Sequence, residues 1–102
     1  MIRTKKDAIE QCAAYKIPDY MADGVADYLL HGVEPGGFLT SVLSNDFMGA
    51  AGRADRMNAA ALASWARLIY NEFPGSSHGS PSKVTKWLES YSARSGAREA
   101  SR

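Results

Sequence analysis

Three aspartates, Asp19, Asp23 and Asp27, are the residues whose type and spacing most suggest a function. Intervals of four residues place all three on one face of a helix, where like charges repel each other by roughly 0.2–0.5 kcal/mol per neighbouring pair. We call this row of carboxylates the acidic face. Because such a row favours cations on another molecule, the spacing predicts a surface that binds an Arg- or Lys-rich partner.

The acidic face has two other interpretations. Its carboxylates could imitate the phosphates of a nucleic acid, or they could form an ordinary solvated helix face. In the second case basic residues of the same chain would neutralise them, namely Lys16, Arg53, Arg56 or Arg67. If the acidic face binds a partner, its charges should affect the association rate and its salt dependence more than the affinity.

A second polar group, Asn45, Asp46 and Arg53, flanks residues 47–52, a segment rich in Ala and Gly. Residues of these types, together with Asp55, can cap helices and pair with one another, or they can contact a partner. The small residues between them allow two helix backbones to approach closely and predict a tight helix crossing. We place Asn45, Asp46 and Arg53 with the acidic face in the predicted partner-binding surface.

Few residues could support catalysis or metal binding. The soft metal ligands are Cys12, His31 and His78, which lie too far apart in sequence to form a recognisable zinc motif. Gly36 and Gly37 form a turn that lacks both the phosphate-loop pattern and the dinucleotide-binding pattern. No local Ser–His or Cys–His pattern stands out, although such groups assemble in space. We therefore predict no enzyme activity, no metal and no cofactor.

Length and composition restrict the class of protein. A chain of 102 residues with 45% hydrophobic residues fits one domain with one modest core. Its net charge of +1 combines −5 over residues 17–52 with +2 before them and +4 after them. The single cysteine excludes an internal disulfide, the charged N-terminus does not resemble a signal peptide, and no apolar run is long enough to span a membrane. These features predict a cytoplasmic protein that does not contact a membrane.

Sequence signals for helices dominate the chain, and the alternating β-branched runs typical of strands are absent. We predict an all-α fold, a single compact bundle of about five short helices. Residues 1–92 should form this helical domain, and residues 93–102, which lack apolar anchors, should form a disordered basic tail. Caps and apolar spacing place the helices from Thr4 to Tyr15, Pro18 to Gly32, Gly37 to Ser44, Asp55 to Phe73 and from Pro81 onward.

Several short motifs give the chain a family resemblance. They are IPxxM at 17–21, HG at 31–32 followed by PGGFLTxVLxND at 35–46, YNExP at 70–74 and GSPxKVxxW at 79–87. As a set, they resemble small proteins encoded by tailed bacteriophages and prophages, over residues 17–88. The resemblance implies a phage origin and a bacterial cytoplasm, and it assigns no catalytic residue.

Together with the acidic face, this resemblance predicts an accessory protein that binds and inhibits or modulates a host bacterial protein, including one of an anti-phage defence. We expect an exposed aromatic or methionine side chain to anchor an interface of roughly 800 Å² per partner. The opposed charges also permit a homodimer in which the acidic second helix of one copy contacts the basic last helix of another. The alternative is a small nucleic-acid-binding regulator that uses Lys83, Lys86 and the arginines of the tail.

Overall fold

The computed structural model describes residues 2–100, with side chains for residues 2–92. The described residues form helices and turns but no strand, which confirms the predicted all-α class. Two 3-10 turns, Asp19–Met21 and Gly75–Ser77, connect some of the helices. The helices are α1 (Lys5–Ala14), α2 (Ala22–His31), α3 (Gly37–Leu43), α4 (Phe47–Arg53), α5 (Arg56–Ala60), α6 (Leu62–Glu72) and α7 (Pro81–Ala100).

Helix α1 begins where the sequence predicts. The Thr4 hydroxyl accepts a hydrogen bond from the backbone N–H of Asp7 at 3.1 Å, and the Asp7 carboxylate accepts one from the backbone N–H of Thr4 at 3.2 Å. This capping box satisfies amide groups that have no partner inside the helix. Beyond the helix Lys16 adopts a φ of 66°, and the N–H of Ile17 returns to the carbonyl of Cys12 at 2.8 Å.

The first 3-10 turn leads directly into α2. The sequence predicts one helix from Pro18, whereas the structure forms this tighter turn first and the α-helix only from Ala22. Short 3-10 segments are common at the start of α-helices, and proline preceding the turn has no N–H to leave unpaired. The predicted end is confirmed, because Gly32 has a left-handed φ of 62° and its N–H donates to the carbonyl of Tyr28 at 3.2 Å.

Helices α3 and α4 pack against each other, with Ala50 of α4 buried. A Cβ on Gly52 would meet nothing within 4 Å, so the tight crossing through small residues stays a prediction. Between them Asn45 adopts a φ of 63°, and its N–H donates to the carbonyl of Val42 at 3.1 Å. The N–H of Asp46 donates to the carbonyl of Ser41 at 2.8 Å, which completes a Schellman end for α3. Asp46 then caps α4, since its Oδ1 accepts from the N–H of Gly49 at 2.9 Å.

The helix predicted from Asp55 to Phe73 is divided into α5 and α6. At the break, the N–H of Ala61 donates to the carbonyl of Asn58 at 3.1 Å, three residues back, which tightens the chain locally. The buried Asn58 side chain accepts a hydrogen bond from Nε1–H of Trp65 at 3.0 Å. Because α4 is also a helix in its own right, the described residues form seven α-helices rather than about five.

One hydrophobic core joins the helices. The rings of Phe38 and Trp65 meet edge to face in it, with centroids 5.8 Å apart. The buried residues of α2, α3 and α6 follow the apolar spacing by which the sequence predicts these helices. The largest fully buried side chains are Trp65, Tyr28, Leu39, Leu43, Leu68 and Val25.

Aromatic side chains of α7 bind the C-terminal end of α2. The Nε1–H of Trp87 donates to the carbonyl of Tyr28 at 3.0 Å, and the Tyr91 hydroxyl donates to the carbonyl of Leu29 at 2.7 Å. The Tyr28 hydroxyl in turn donates to the carbonyl of Ser77 at 2.6 Å. The carbonyl of Tyr28 already accepts from the N–H of Gly32, so Trp87 adds a second donor there, whereas Tyr91 supplies a donor to a carbonyl in the last turn of α2. Together these bonds fix the position of α7.

Helix α7 begins at the predicted residue. The N–H of Lys83 donates to Oγ of Ser80 at 3.2 Å, with Pro81 at the first helical position. The helix continues to Ala100, and side chains are described up to Ser92. The predicted basic tail at 93–102 lies outside the described side chains, so its disorder and the domain boundary at residue 92 stay predictions.

Candidate functional site

The carboxylates of the acidic face come from two elements. Asp19 lies in the first 3-10 turn, whereas Asp23 and Asp27 lie one helical turn apart on α2. All three are exposed. The predicted continuous helix is therefore interrupted before Ala22, and the row of three acids crosses from the turn into the helix.

One ion pair neutralises part of the acidic face. The Nζ of Lys5 lies 3.2 Å from Oδ1 of Asp23, and the two side chains are 66% and 72% exposed. Water screens such a pair, which contributes about 0–1 kcal/mol. In the described part of the chain, none of the four bases suggested by the sequence lies within ion-pair distance of these carboxylates. The cation comes from α1 instead because α1 packs against α2.

An exposed aromatic side chain adjoins the acidic face. Tyr20 is 55% exposed and stands three residues before Asp23 and seven before Asp27. Its hydroxyl donates to Oδ2 of Asp55 at 2.5 Å. This bond, together with the N–H of Asn58, lowers the pKa of Asp55, while the same bond raises the pKa of Tyr20. The position of the ring is thus fixed beside the carboxylates while much of its surface stays in solvent.

The second predicted group, Asn45, Asp46 and Arg53, assembles at the connection between α3 and α4. Arg53 Nη1 donates to Oγ of Ser41 at 3.2 Å. A Cβ on Gly49 would overlap the Asp46 carboxylate and stand 2.6 Å from Arg53 Nη1, so both side chains lie over that glycine. The interpretation of Asp46 as a helix cap is confirmed, and the contact of this group with a partner stays a prediction.

A groove of about 550 Å³ lies between α4 and α6. We call it the α4–α6 groove. Helix α3 and the loop before α7 close it on the remaining sides, and its size and apolar character are those of surfaces that hold a small molecule or a partner side chain. Its lining residues are Val42, Leu43, Asn45, Phe47, Ala50, Leu62, Ala63, Ala66, Ile69, Tyr70, His78 and Gly79.

Two large side chains of the lining stand in solvent, Phe47 at 68% and Tyr70 at 83% exposed, and Met48, the residue after Phe47 on α4, is 78% exposed. Apolar side chains exposed together mark interaction surfaces. The sequence predicts an exposed aromatic or methionine anchor but does not identify these three. The sequence does contain a signal for the exposure of Tyr70, because this residue falls outside the apolar stripe that contains Trp65 and Ile69.

Asn45 and His78 are polar residues among those that line the groove. The N–H of Gly79 donates to the carbonyl of Leu43 at 2.8 Å, which holds the loop against α3. Burial, followed by the charge of Lys83, lowers the pKa of His78. At neutral pH His78 is therefore mainly uncharged and can donate or accept a hydrogen bond.

Cys12 is a buried core residue. Burial raises the pKa of its thiol to about 11, so the reactive thiolate is scarce at neutral pH. His31 is exposed at the end of α2. Among the described residues, no three His, Cys, Asp or Glu side chains come together in a way that could hold a metal ion.

The basic side chains of α7 include the exposed residues Lys83 and Lys86. Trp87 and Tyr91 on the same helix are bonded to backbone carbonyls of α2, so their rings do not form a platform for stacking nucleic-acid bases. Nucleic-acid binding by α7 would therefore depend on the charges of its basic side chains and not on base stacking. The described helices are all too short or too polar to cross a membrane.

Compared with protein-family models, with curated proteins and with solved structures, the chain has no significant match. The phage resemblance therefore rests on the short motifs alone. The acidic face, the α4–α6 groove and their surroundings are the features that bear on function.

Proposed function

We propose that this chain is a small phage or prophage accessory protein that binds a host bacterial protein through the acidic face and thereby inhibits or modulates it. The observation that supports this most is the exposure of Asp19, Asp23 and Asp27. Within the described residues, Lys5 is the one cation in ion-pair distance of any of them. A row of carboxylates with so little internal neutralisation favours a cationic partner.

Tyr20 supplies the apolar anchor that such an interface needs. Tyrosine is one of the residue types that dominate binding energies, because it combines a large apolar ring with a polar hydroxyl. The bond from Tyr20 to Asp55 fixes its position before binding. The partner is therefore an Arg- or Lys-rich surface with an apolar cleft for this ring, and inhibition results from occlusion of roughly 800 Å² of that surface.

The test is a pull-down of the full chain from bacterial lysate, followed by binding kinetics with the purified partner. The acidic-face variant carries Asp19→Asn, Asp23→Asn and Asp27→Asn. We expect its association rate at low salt to fall about tenfold or more, since opposite charges steer association. At about 1 M salt, where the Debye length is about 3 Å, the two rates should converge.

A matched control carries Glu10→Gln, Glu34→Gln and Glu89→Gln, which remove the same charge from exposed acids outside the acidic face. This control should associate like the natural chain. Equal rates for both variants would refute the proposal. The natural chain could instead recover nucleic acid, and the double variant Lys83→Gln, Lys86→Gln could fail to recover it. That result would favour the alternative function, a nucleic-acid-binding regulator.

A further inference from the structure

We propose that the α4–α6 groove is a dimer interface whose occupant is a second copy of this chain. This surface includes Asn45 and adjoins Asp46 of the second predicted group, but it shares no residue with the acidic face, so the proposal goes beyond the binding function and is tested separately. It also differs from a dimer made by the acidic and basic helices.

The exposed side chains and the groove belong to one surface. Phe47 and Tyr70 line the groove and yet are 68% and 83% exposed, and Met48 extends the patch along α4. The surface thus carries both projecting apolar side chains and an apolar depression. A patch that contains both can pair with itself about a two-fold axis, because each copy places Phe47 in the groove of the other.

The patch is large enough for a specific dimer. With 150–250 Å² per aromatic side chain, Phe47 and Tyr70 expose roughly 230–380 Å² per chain, and therefore roughly 450–750 Å² in two copies. Met48 and the groove walls add to this. Burial of all these surfaces in both copies would bring the total towards the area of about 1,000 Å² that distinguishes a specific interface from a chance contact.

Opposite charges lie on the two sides of the groove. Asp46 precedes Phe47 on the α4 side, whereas Arg67 lies on the α6 side, four residues after Ala63 and three before Tyr70. Residues at these intervals share a helix face. A two-fold arrangement that lays α4 of one copy along the groove of the other brings each Asp46 towards Arg67 of the second copy. Arg53, which lies over Gly49 beside Asp46, partly offsets the charge of that carboxylate, so the charge complementarity is modest.

The alanines of the groove fit this arrangement. Ala50, Ala63 and Ala66 line the groove, and their small side chains permit the close approach of a helix. Asn45, an exposed polar residue of the lining, can remain in contact with water as the polar rim of an interface does. The net charge of +1 opposes pairing of two copies only weakly.

The test is sedimentation velocity on the full chain over a concentration series, with Phe47→Asp as the main variant. Aspartate in the first turn of α4 suits the helix dipole, so this variant should fold, which circular dichroism would verify. We expect the natural chain to dimerise and the variant to raise the dimer dissociation constant at least about a hundredfold. Ile9→Asp, which places the same charge on an exposed residue of α1, is the control and should dimerise normally.

A second pair of variants tests the role of charge in the dimer. Arg67→Glu should weaken the dimer about tenfold at low salt, whereas Arg56→Glu, also an exposed arginine, should leave it unchanged. A natural chain that stays monomeric at its highest soluble concentration would overturn the proposal. So would a dimer that survives Phe47→Asp and is lost on Asp23→Lys, since it would assemble through the acidic helix.

Discussion

Tyr91 lies against Gly32 so closely that a Cβ on the glycine would overlap the Tyr91 side chain. The two residues come from α7 and from the end of α2. Gly32 also has a φ of 62°, a conformation that favours glycine over residues with a side chain. One residue therefore serves two purposes, since it ends α2 and leaves room for the aromatic side chain that packs there.

Gly32→Ala should lower the free energy of unfolding by more than the 1–2 kcal/mol expected, to order of magnitude, for the left-handed backbone alone, because Tyr91 must also move. Urea denaturation would measure this change. Gly24→Ala is the matched control, as Gly24 lies inside α2 and an added Cβ would meet nothing within 4 Å. It should stabilise the protein by about 0.5–1 kcal/mol. Equal effects of the two substitutions would contradict this explanation of Gly32.

Tyr28 should make stability fall at alkaline pH. Burial raises its pKa to about 12, whereas an unfolded chain ionises tyrosine near pH 10. Below about pH 10 the contribution is fully present, and between about pH 10 and 12 it is lost because the unfolded state releases its proton first. Chemical denaturation across this window should therefore show a steeper loss in the natural chain than in Tyr28→Phe.

The control for this pH dependence is Tyr70→Phe, since Tyr70 is largely exposed. It should retain the alkaline slope of the natural chain. Tyr28→Phe also removes the bond to the carbonyl of Ser77, so it should be less stable at every pH by about 1–3 kcal/mol. An unchanged slope in Tyr28→Phe would mean that Tyr28 does not contribute to the alkaline transition.

A buried hydrogen bond between Asn58 of α5 and Trp65 of α6 spans the break between these two helices. Asn58→Ala leaves the Trp65 indole N–H without its acceptor and should cost about 1–3 kcal/mol of unfolding free energy. Asn71→Ala removes an exposed asparagine that bonds the carbonyl of Arg67, and it should change stability by about 0.5 kcal/mol or less. In a double-mutant cycle with Trp65→Phe, additive costs would show that the pair is not coupled.

Helix ends were predictable because their causes are local. The Thr4 cap, the left-handed Gly32 and the Ser80–Pro81 start each depend on residues within a few positions, and the structure confirms all three. The buried stripes of α2 and α6 follow from periodicity alone. Local physics therefore accounts for the all-α class and for most of the core.

The remaining features depend on contacts between distant residues. The stripe of Trp65 and Ile69 lies wholly within α6, so its periodicity does not reveal whether the residues before Ala61 belong to the same helix. Lys5 pairs with Asp23 because α1 meets α2, which no local pattern indicates. The α4–α6 groove exists for the same reason, since it depends on which helices become neighbours.

Gly49 provides a direct test of the cap at the start of α4. A side chain there would collide with the Asp46 carboxylate and crowd Arg53, so Gly49→Ala should displace Asp46 and, through loss of the cap, be about 1 kcal/mol less stable than Gly52→Ala, which gains the same helix propensity. Gly52→Ala is the control on the same helix, where an added Cβ would meet nothing within 4 Å, and it should be neutral or stabilising. Urea denaturation of both variants separates the two effects. If Gly49→Ala were as stable as Gly52→Ala, the Asp46 carboxylate would not be needed to hold α4, and its place in the predicted partner-binding surface would gain weight.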